Sequence, residues 1–412
     1  MRLLKIIATL VGGLLAAVVL VYLALVFVNR HDQPLSQEAL RFAQLYRDRP
    51  PVANADNGYL YAMGFFTFQG GKTQRSPALQ SLAEACRVVD HACVVALEGT
   101  DKIVDEWFAS EQWLFDRYRT LLSHSGWRQP KPFDLTARLP AYGTIFQGQR
   151  LLLLRARTLA ERGDVAGVRE LLAQDAHFWR MVLESSDLLI DKMIAVAALN
   201  RHFGLGNLVL RQLPADRAMQ AMPQEWTQEI TPAERSMTCT LAGEWEYFND
   251  LLRKTKEHEP LIYRPLFQPR DTSNKLAAML ARAAHDLDTP YDQYPQVLGR
   301  MRAETNHAPA ELGLFADLYN LIGAMMTNVP DAYNYGQYGA RVADVEGVRR
   351  AAVLATTLRS RGVAAADVPA QLAASEIRMP YTNGPFAWDL KEGAIVFTGL
   401  EASERARHDI KY

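Results

Sequence analysis

Two kinds of apolar pattern divide the chain. From Ile6 to Val28 (IIATLVGGLLAAVVLVYLALVFV) no position is charged and almost all are apolar. As a helix rising about 1.5 Å per residue, this run extends roughly 35 Å, enough to cross a ~30 Å hydrocarbon layer. Beyond it, apolar positions recur at helical spacing, and strand-like patterning is confined to the far end of the chain.

The run reads as an uncleaved anchor rather than a secretory signal. A signal peptide has an apolar core of about 7–15 residues that ends at a small-x-small site. Here the exit is Leu25-Val26-Phe27-Val28-Asn29-Arg30, bulky where a peptidase needs small residues, and no cysteine follows to carry a lipid. Arg2 and Lys5 favour a cytoplasmic tail over residues 1–5. Arg30, Arg41, Arg47 and Arg49 lie on the other flank, but large domains cross largely regardless of charge. The expectation is a single-pass protein of a bacterial inner membrane that meets the lipid bilayer through Ile6–Val28, with its bulk in the periplasm. Gly12 with Ala16 and Gly13 with Ala17 form small-xxx-small pairs. They suit a helix dimer, and equally the Gly and Ala content usual in membrane spans.

Residues 29–57 read as a polar tether with one short helical pattern and a Pro50-Pro51 break. Residues 58–375 read as a helical domain. Asn57–Phe68 is aromatic-rich, and Thr100 can cap a helix running to about Leu122. The clearest unit follows: a helix over Ala141–Arg162 ended by Gly163, then Asp164 capping a helix from Val165 to about Gln174. A helical pattern continues from Ala176 to Phe203 and is expected to stop at Gly204. Helix, Gly-Asp turn, helix is an αα-hairpin, the unit of helical solenoids, although no fixed repeat period is present. Thr231-Pro232-Ala233-Glu234 combines a capping box with proline at the first helical position and predicts a helix to about Lys256. Glu257–Arg270 is proline-rich and predicts an extended loop. Helices are expected again over Thr272–Asp286, Gln293–Thr305, Pro309–Thr327, Ala332–Tyr338, Val342–Arg361 and Ala365–Ala374.

Over residues 376–412 the pattern changes. Phe386–Asp389 and Ala394–Thr398 flank a Gly-containing loop and predict a β-hairpin that caps the last helices. The fold class expected is therefore mainly α: one membrane helix, an irregular solenoid-like array of stacked α-hairpins, and a small C-terminal β-hairpin.

Composition narrows the function. Of the 412 residues, 49% are hydrophobic and 22% charged, ordinary for a folded chain. Lys plus Arg total 45 against 46 acidic residues, with no basic stripe to neutralise phosphates, so nucleic-acid binding is not expected. The three cysteines are Cys86, Cys93 and Cys239. Within one unbroken helix Cys86 and Cys93 would be separated by about 10 Å of rise, too far to bond. They can pair only if the chain bends around Val89-Asp90-His91; otherwise they are two small buried hydrophobes. Cys239 sits in a helical pattern and reads as core.

No catalytic, metal or cofactor motif stands out. The strongest polar constellation is His177, Arg180, Glu184, Asp187 and Asp191, spaced by three and four so as to line one face of the helix after Asp175. Carboxylates at Glu184, Asp187 and Asp191 could bind a cation or a basic partner, or hold an acid of raised pKa. The plainer reading is the solvated face of an amphipathic helix. Glu244 and Glu246 point in different directions, and His285-Asp286-Leu287-Asp288 reads as a helix end. Tyr333, Tyr335 and Tyr338 form an aromatic patch, with Tyr291 and Tyr294 as a second; each suits an interaction surface or a buried connector. The function expected is non-catalytic: binding or scaffolding another envelope protein. Two alternatives are an envelope-acting hydrolase using the carboxylate stripe, and a membrane-tethered folding helper for an exported protein.

Overall fold

The computed structural model describes residues 2–66, 77–86, 91–98, 101–130, 138–307, 318–327, 332–401 and 406–412. The first helices are α1 (Arg2–Val28), α2 (Gln37–Asp48), α3 (Gly58–Met63), α4 (Pro77–Ala85), α5 (His91–Leu97), α6 (Asp101–Ser110), α7 (Gln112–Leu122), α8 (Tyr142–Glu161), α9 (Val165–Ser185) and α10 (Leu189–Leu210). They are followed by α11 (Ala215–Ala221), α12 (Gln224–Thr227), α13 (Pro232–Arg235), α14 (Thr238–His258), α15 (Pro269–Leu287), α16 (Tyr294–His307), α17 (Leu321–Thr327), α18 (Ala332–Ser360) and α19 (Val368–Ala374). Strands β1 (Ala387–Asp389), β2 (Ala394–Thr398) and β3 (Arg407–Lys411) form one antiparallel sheet in that order. The protein is mainly helical with a small sheet at its end.

The chain divides into two compact units, the first made of Met1–Arg49, Leu241–His285 and Arg300–Tyr335. In it α1 leaves most of its apolar side chains exposed, with Leu25 and Val26 half-buried, while the chain after α1 is bonded into the unit. Asn29 donates to the carbonyl of Leu318 (2.8 Å) and accepts from the amide of Asn320 (2.6 Å). Asp32 accepts from the amides of Arg270 and Asp271 (3.0 and 3.2 Å), satisfying two orphan donors at the start of α15. Ser36 caps α2, whose Phe42 packs on the buried Trp245.

The second unit is Pro50–Thr240, Asp286–Gly299 and Gly336–Tyr412. Its core is the trio α8, α9 and α10, each packed on the other two. The expected hairpin is present: Gly163 adopts φ +77°, which glycine alone takes at little cost, and Asp164 accepts from the amide of Gly167 at 2.9 Å. Several boundaries differ from expectation. α9 runs on to Ser185 without a break near Asp175. The interruption falls at Ser186–Leu188, and α10 then passes through Gly204. Ser186 is held there by its own hydroxyl bonding back to Val182 and by Thr240 reaching its carbonyl. The Thr240 bond is a tertiary constraint, and no glycine or proline announces the break. The capping box at Thr231 forms, but its helix lasts one turn before α14 starts. Helix was expected without interruption to Leu122, whereas α6 and α7 are separated at Glu111; Thr100 lies outside the described residues.

The hairpin of β1 and β2 has the expected residues, and β3 adds a strand beyond it, pairing Ile410 with Ile395 and His408 with Phe397. Phe397 is fully buried against α18, where a Cβ on Gly347 would meet its ring at 2.1 Å. That glycine lets the sheet lie directly on the helix. Asn207 of α10 donates to the carbonyl of Lys411, tying β3 to the helical core.

Candidate functional site

The acidic stripe does not form as one helix face, because the break at Ser186–Leu188 redirects it. Glu184 and His177 are exposed on α9, Arg180 is buried, Asp187 lies in the connector, and Asp191 is in the first turn of α10. Only Asp187 and Asp191 come together, both fully buried.

The segment after α7 completes their surroundings. Asn57 accepts from the amide of Arg128 (3.0 Å) and donates to its carbonyl (2.8 Å), acting as an extra strand residue would. Its neighbour Gly58 donates to the carbonyl of Gly126 (2.8 Å), where a side chain would collide with Val52. This pairing aims Arg128 and Gln129 inward. Arg128 forms an ion pair with Asp187 at 2.6 Å, Gln129 donates to Asp191 at 3.1 Å, and Tyr142 donates its hydroxyl to the other Asp191 oxygen. Burial pushes the Asp191 carboxyl up to about 6, the charge of Asp187 adds to the shift, and the Tyr142 and Gln129 bonds oppose it. Burial and the Asp191 charge likewise raise the Tyr59 and Tyr142 hydroxyls.

A second cluster carries no sequence signal at all. Asp175 accepts from Tyr118 (2.5 Å), Gln149 (3.0 Å) and Nδ1 of His202 (2.7 Å), while Trp226 donates its indole N–H to Nε2 of His202 at 2.7 Å. An indole can only donate, so Nε2 must be bare and the His202 proton resides on Nδ1, facing Asp175. Both ring nitrogens are therefore engaged. Trp179 donates to Tyr118 and closes the network. An Asp–His pair elsewhere suggests a catalytic base. Here its free lone pair is consumed by Trp226 in a fully buried setting, which makes it a core fastener.

Arg180 does similar work. It meets Glu234 through two N–H groups (2.6 and 2.9 Å) and reaches the carbonyls of Glu225, Gln228 and Glu229 with the others. The Glu234 of the capping box thus also receives a buried bidentate arginine. Lys192, fully buried, donates to the carbonyls of Leu183 and Glu234.

Of the aromatic patches, the side chain of Tyr333 is outside the described residues, and Tyr335 and Tyr338 are half-buried on α18, with Arg341 over the Tyr338 ring at 5.3 Å. Tyr291 and Tyr294 sit inside the second unit with Tyr381 and the Arg235 guanidinium, which lies 4.4 Å from the Tyr291 ring centre. Cys86 and Cys93 are joined in a disulfide, Cα atoms 4.5 Å apart, with α4 ending at Ala85 and α5 starting at His91; Cys239 is free and half-buried. Among the described residues no group of three or more His, Cys, Asp or Glu is placed to hold a metal. A groove of about 430 Å³ runs between α18 and α19, lined in part by Leu354, Leu358, Arg361, Gln371 and Ile377. No family model, curated protein or solved structure matches the chain.

Proposed function

We propose that this chain is a single-pass inner-membrane protein, tail in the cytoplasm and body in the periplasm, that binds or scaffolds another envelope protein without catalysing a reaction. The observation that carries this reading is the joint after α1. Asn29 and Asp32 bond directly to the first unit, so the unit is held at a fixed position on the anchor, as a presenting surface requires. The Cys86–Cys93 disulfide supports an oxidising compartment for the body, and Arg2 and Lys5 support the cytoplasmic tail. Crosslinking in the native envelope, followed by identification of the adduct, tests the binding role. The expected result is one reproducible envelope protein, and recovery of none at native expression would count against it. A reporter that is active only outside the cytoplasm, fused after residue 60, tests orientation and should be active.

One observation favours a second reading, the hydrolase. Asp191 holds a carboxyl lifted to about 6 beside the half-buried Tyr142, and such groups gather at active sites. The binding reading is preferred because Tyr142 and Gln129 already occupy the Asp191 oxygens. Asp191→Asn separates the two: a binder keeps its adduct and phenotype, whereas a hydrolase loses the phenotype while the variant stays folded by circular dichroism.

A further inference from the structure

The loop between α14 and α15 presents Leu261, Ile262 and Tyr263 to the outside at 79%, 55% and 49% exposure, three successive large side chains with much of their apolar surface uncovered. Isolated exposed apolar residues are ordinary, but a contiguous set marks a surface meant to be covered. What covers it follows from where the loop is fastened. The hydroxyl of Tyr22, within the apolar span of α1, donates to the carbonyl of Ile262 at 3.0 Å. The short 3-10 turn that follows the loop, Arg264–Leu266, also packs on α1.

Depth can be read along α1. Tyr22 precedes Val28 by six residues, roughly 9 Å of helix, and helical side chains lean toward the N-terminal end. If Ile6–Val28 fills the hydrocarbon layer, the Ile262 carbonyl lies on the lipid side of the span's outer end. We infer that the Leu261-Ile262-Tyr263 loop is a second membrane contact, inserted into the outer acyl region of the same bilayer that α1 crosses. This rests on the anchor reading above. The occupant is lipid hydrocarbon, because the patch is continuous with the anchor through the Tyr22 bond.

The backbone and flanks suit that depth. The Pro260 carbonyl accepts from the amides of Tyr263 and Arg264, and the Ile262 carbonyl is taken by Tyr22, so part of the loop's polar backbone is satisfied by protein. Arg253 and Lys254 stand exposed in the preceding turns of α14, with Lys256 and His258 in its last turn. Glu257 and Glu259 are interleaved with them. Mixed charge above an apolar tip places the attraction in the hydrocarbon rather than in anionic headgroups.

The test uses the full chain in phosphatidylcholine nanodiscs, with Cys239→Ala as background and an environment-sensitive fluorophore on either Ile262→Cys or Leu15→Cys. Both sites are exposed, so neither substitution disturbs packing. Lipids carrying a nitroxide near the headgroup or at the chain end serve as quenchers. The expected result is quenching at residue 262 mainly by the shallow nitroxide, and at residue 15 mainly by the deep one. Quenching at 15 without quenching at 262 overturns the loop insertion and leaves the anchor standing. No quenching at 15 overturns the anchor reading, and the loop insertion as built on it.

Discussion

Helices α1 and α10 are both long and apolar enough to cross a bilayer, yet they occupy opposite environments. Over its most apolar window α10 (Leu189–Leu210) is 67% buried in the protein, whereas the corresponding window of α1 is not buried at all. The reason lies in where charge sits. α10 carries Asp191, Lys192, Arg201 and His202, and each finds a protein partner: Tyr142 and Gln129, two carbonyls, Gln149, and the Asp175–Trp226 pair. α1 has no charge from Ile6 to Val28 and offers apolar groups on every side. A helix apolar all round belongs in a core or a membrane, and length with mean hydropathy does not separate these. Charges distributed so that neighbours can satisfy them identify the core helix.

The sharpest way to break this contrast is to place a charge in each helix. Ala198→Arg puts a guanidinium where the side chain is fully buried and the carbonyl already receives Gln149. It should cost about 4 kcal/mol or more and leave little folded body. Leu14→Arg in α1 should leave the thermal transition of the body unchanged while weakening membrane retention. Differential scanning calorimetry with fractionation reads both, and an unfolded Leu14→Arg body would show that α1 is packed on protein.

Truncation sharpens the same point at smaller size. Leu199→Ala removes a fully buried side chain and should cost about 3 kcal/mol, while Leu14→Ala should stay within about 0.5 kcal/mol. Denaturant midpoints of the two variants compare them directly.

The buried carboxylate of α10 adds a pH signature. The Asp191 carboxyl is lifted to about 6 by burial, so the folded state holds its proton where the unfolded chain has lost it. The contribution to stability is fully present below about pH 4 and is lost as pH rises through 6. The loss is at most about 3 kcal/mol, for a lift of roughly two units. Asp344, raised to about 6 for the same reason, adds a parallel slope. Asp191→Asn should therefore flatten part of the decline between pH 4 and 6 in urea melts, and an unchanged slope would show that Asp191 is not desolvated.

The smallest effect concerns the joint after α1. Asn29→Ala removes the acceptor of the Asn320 amide and the donor to the Leu318 carbonyl, at about 1–2 kcal/mol. Hydrogen exchange should rise at Asn320 in the first unit, with the amides of α10 unaffected.

Local chemistry was legible in the sequence and tertiary chemistry was not. The Gly163–Asp164 turn, the Thr231 capping box and the residues of the first two strands are set by neighbours within four or five positions, which a sequence displays. The break at Ser186–Leu188 depends on Arg128 and Thr240, each more than fifty residues away. The Asp175–His202 pair joins residues 27 apart on successive helices, with no spacing rule to reveal it. β3 has no strand signature of its own, because Arg407–Lys411 carries one strong apolar residue, Ile410, and is recruited by pairing with β2. The spacing of the acidic stripe assumes one helix, but α9 stops at Ser185, before reaching Asp187. His177 and Glu184 are solvated surface, Arg180 is buried against Glu234, and Asp187 and Asp191 are buried where Asn57 aims Arg128 and Gln129 at them.

The most direct measurement is the intact mass of the chain recovered from membranes washed at alkaline pH. An anchor whose joint is built into the first unit requires that the chain stay in the pellet and retain Ile6–Val28. A chain released by the wash, or one recovered without those residues, would contradict it.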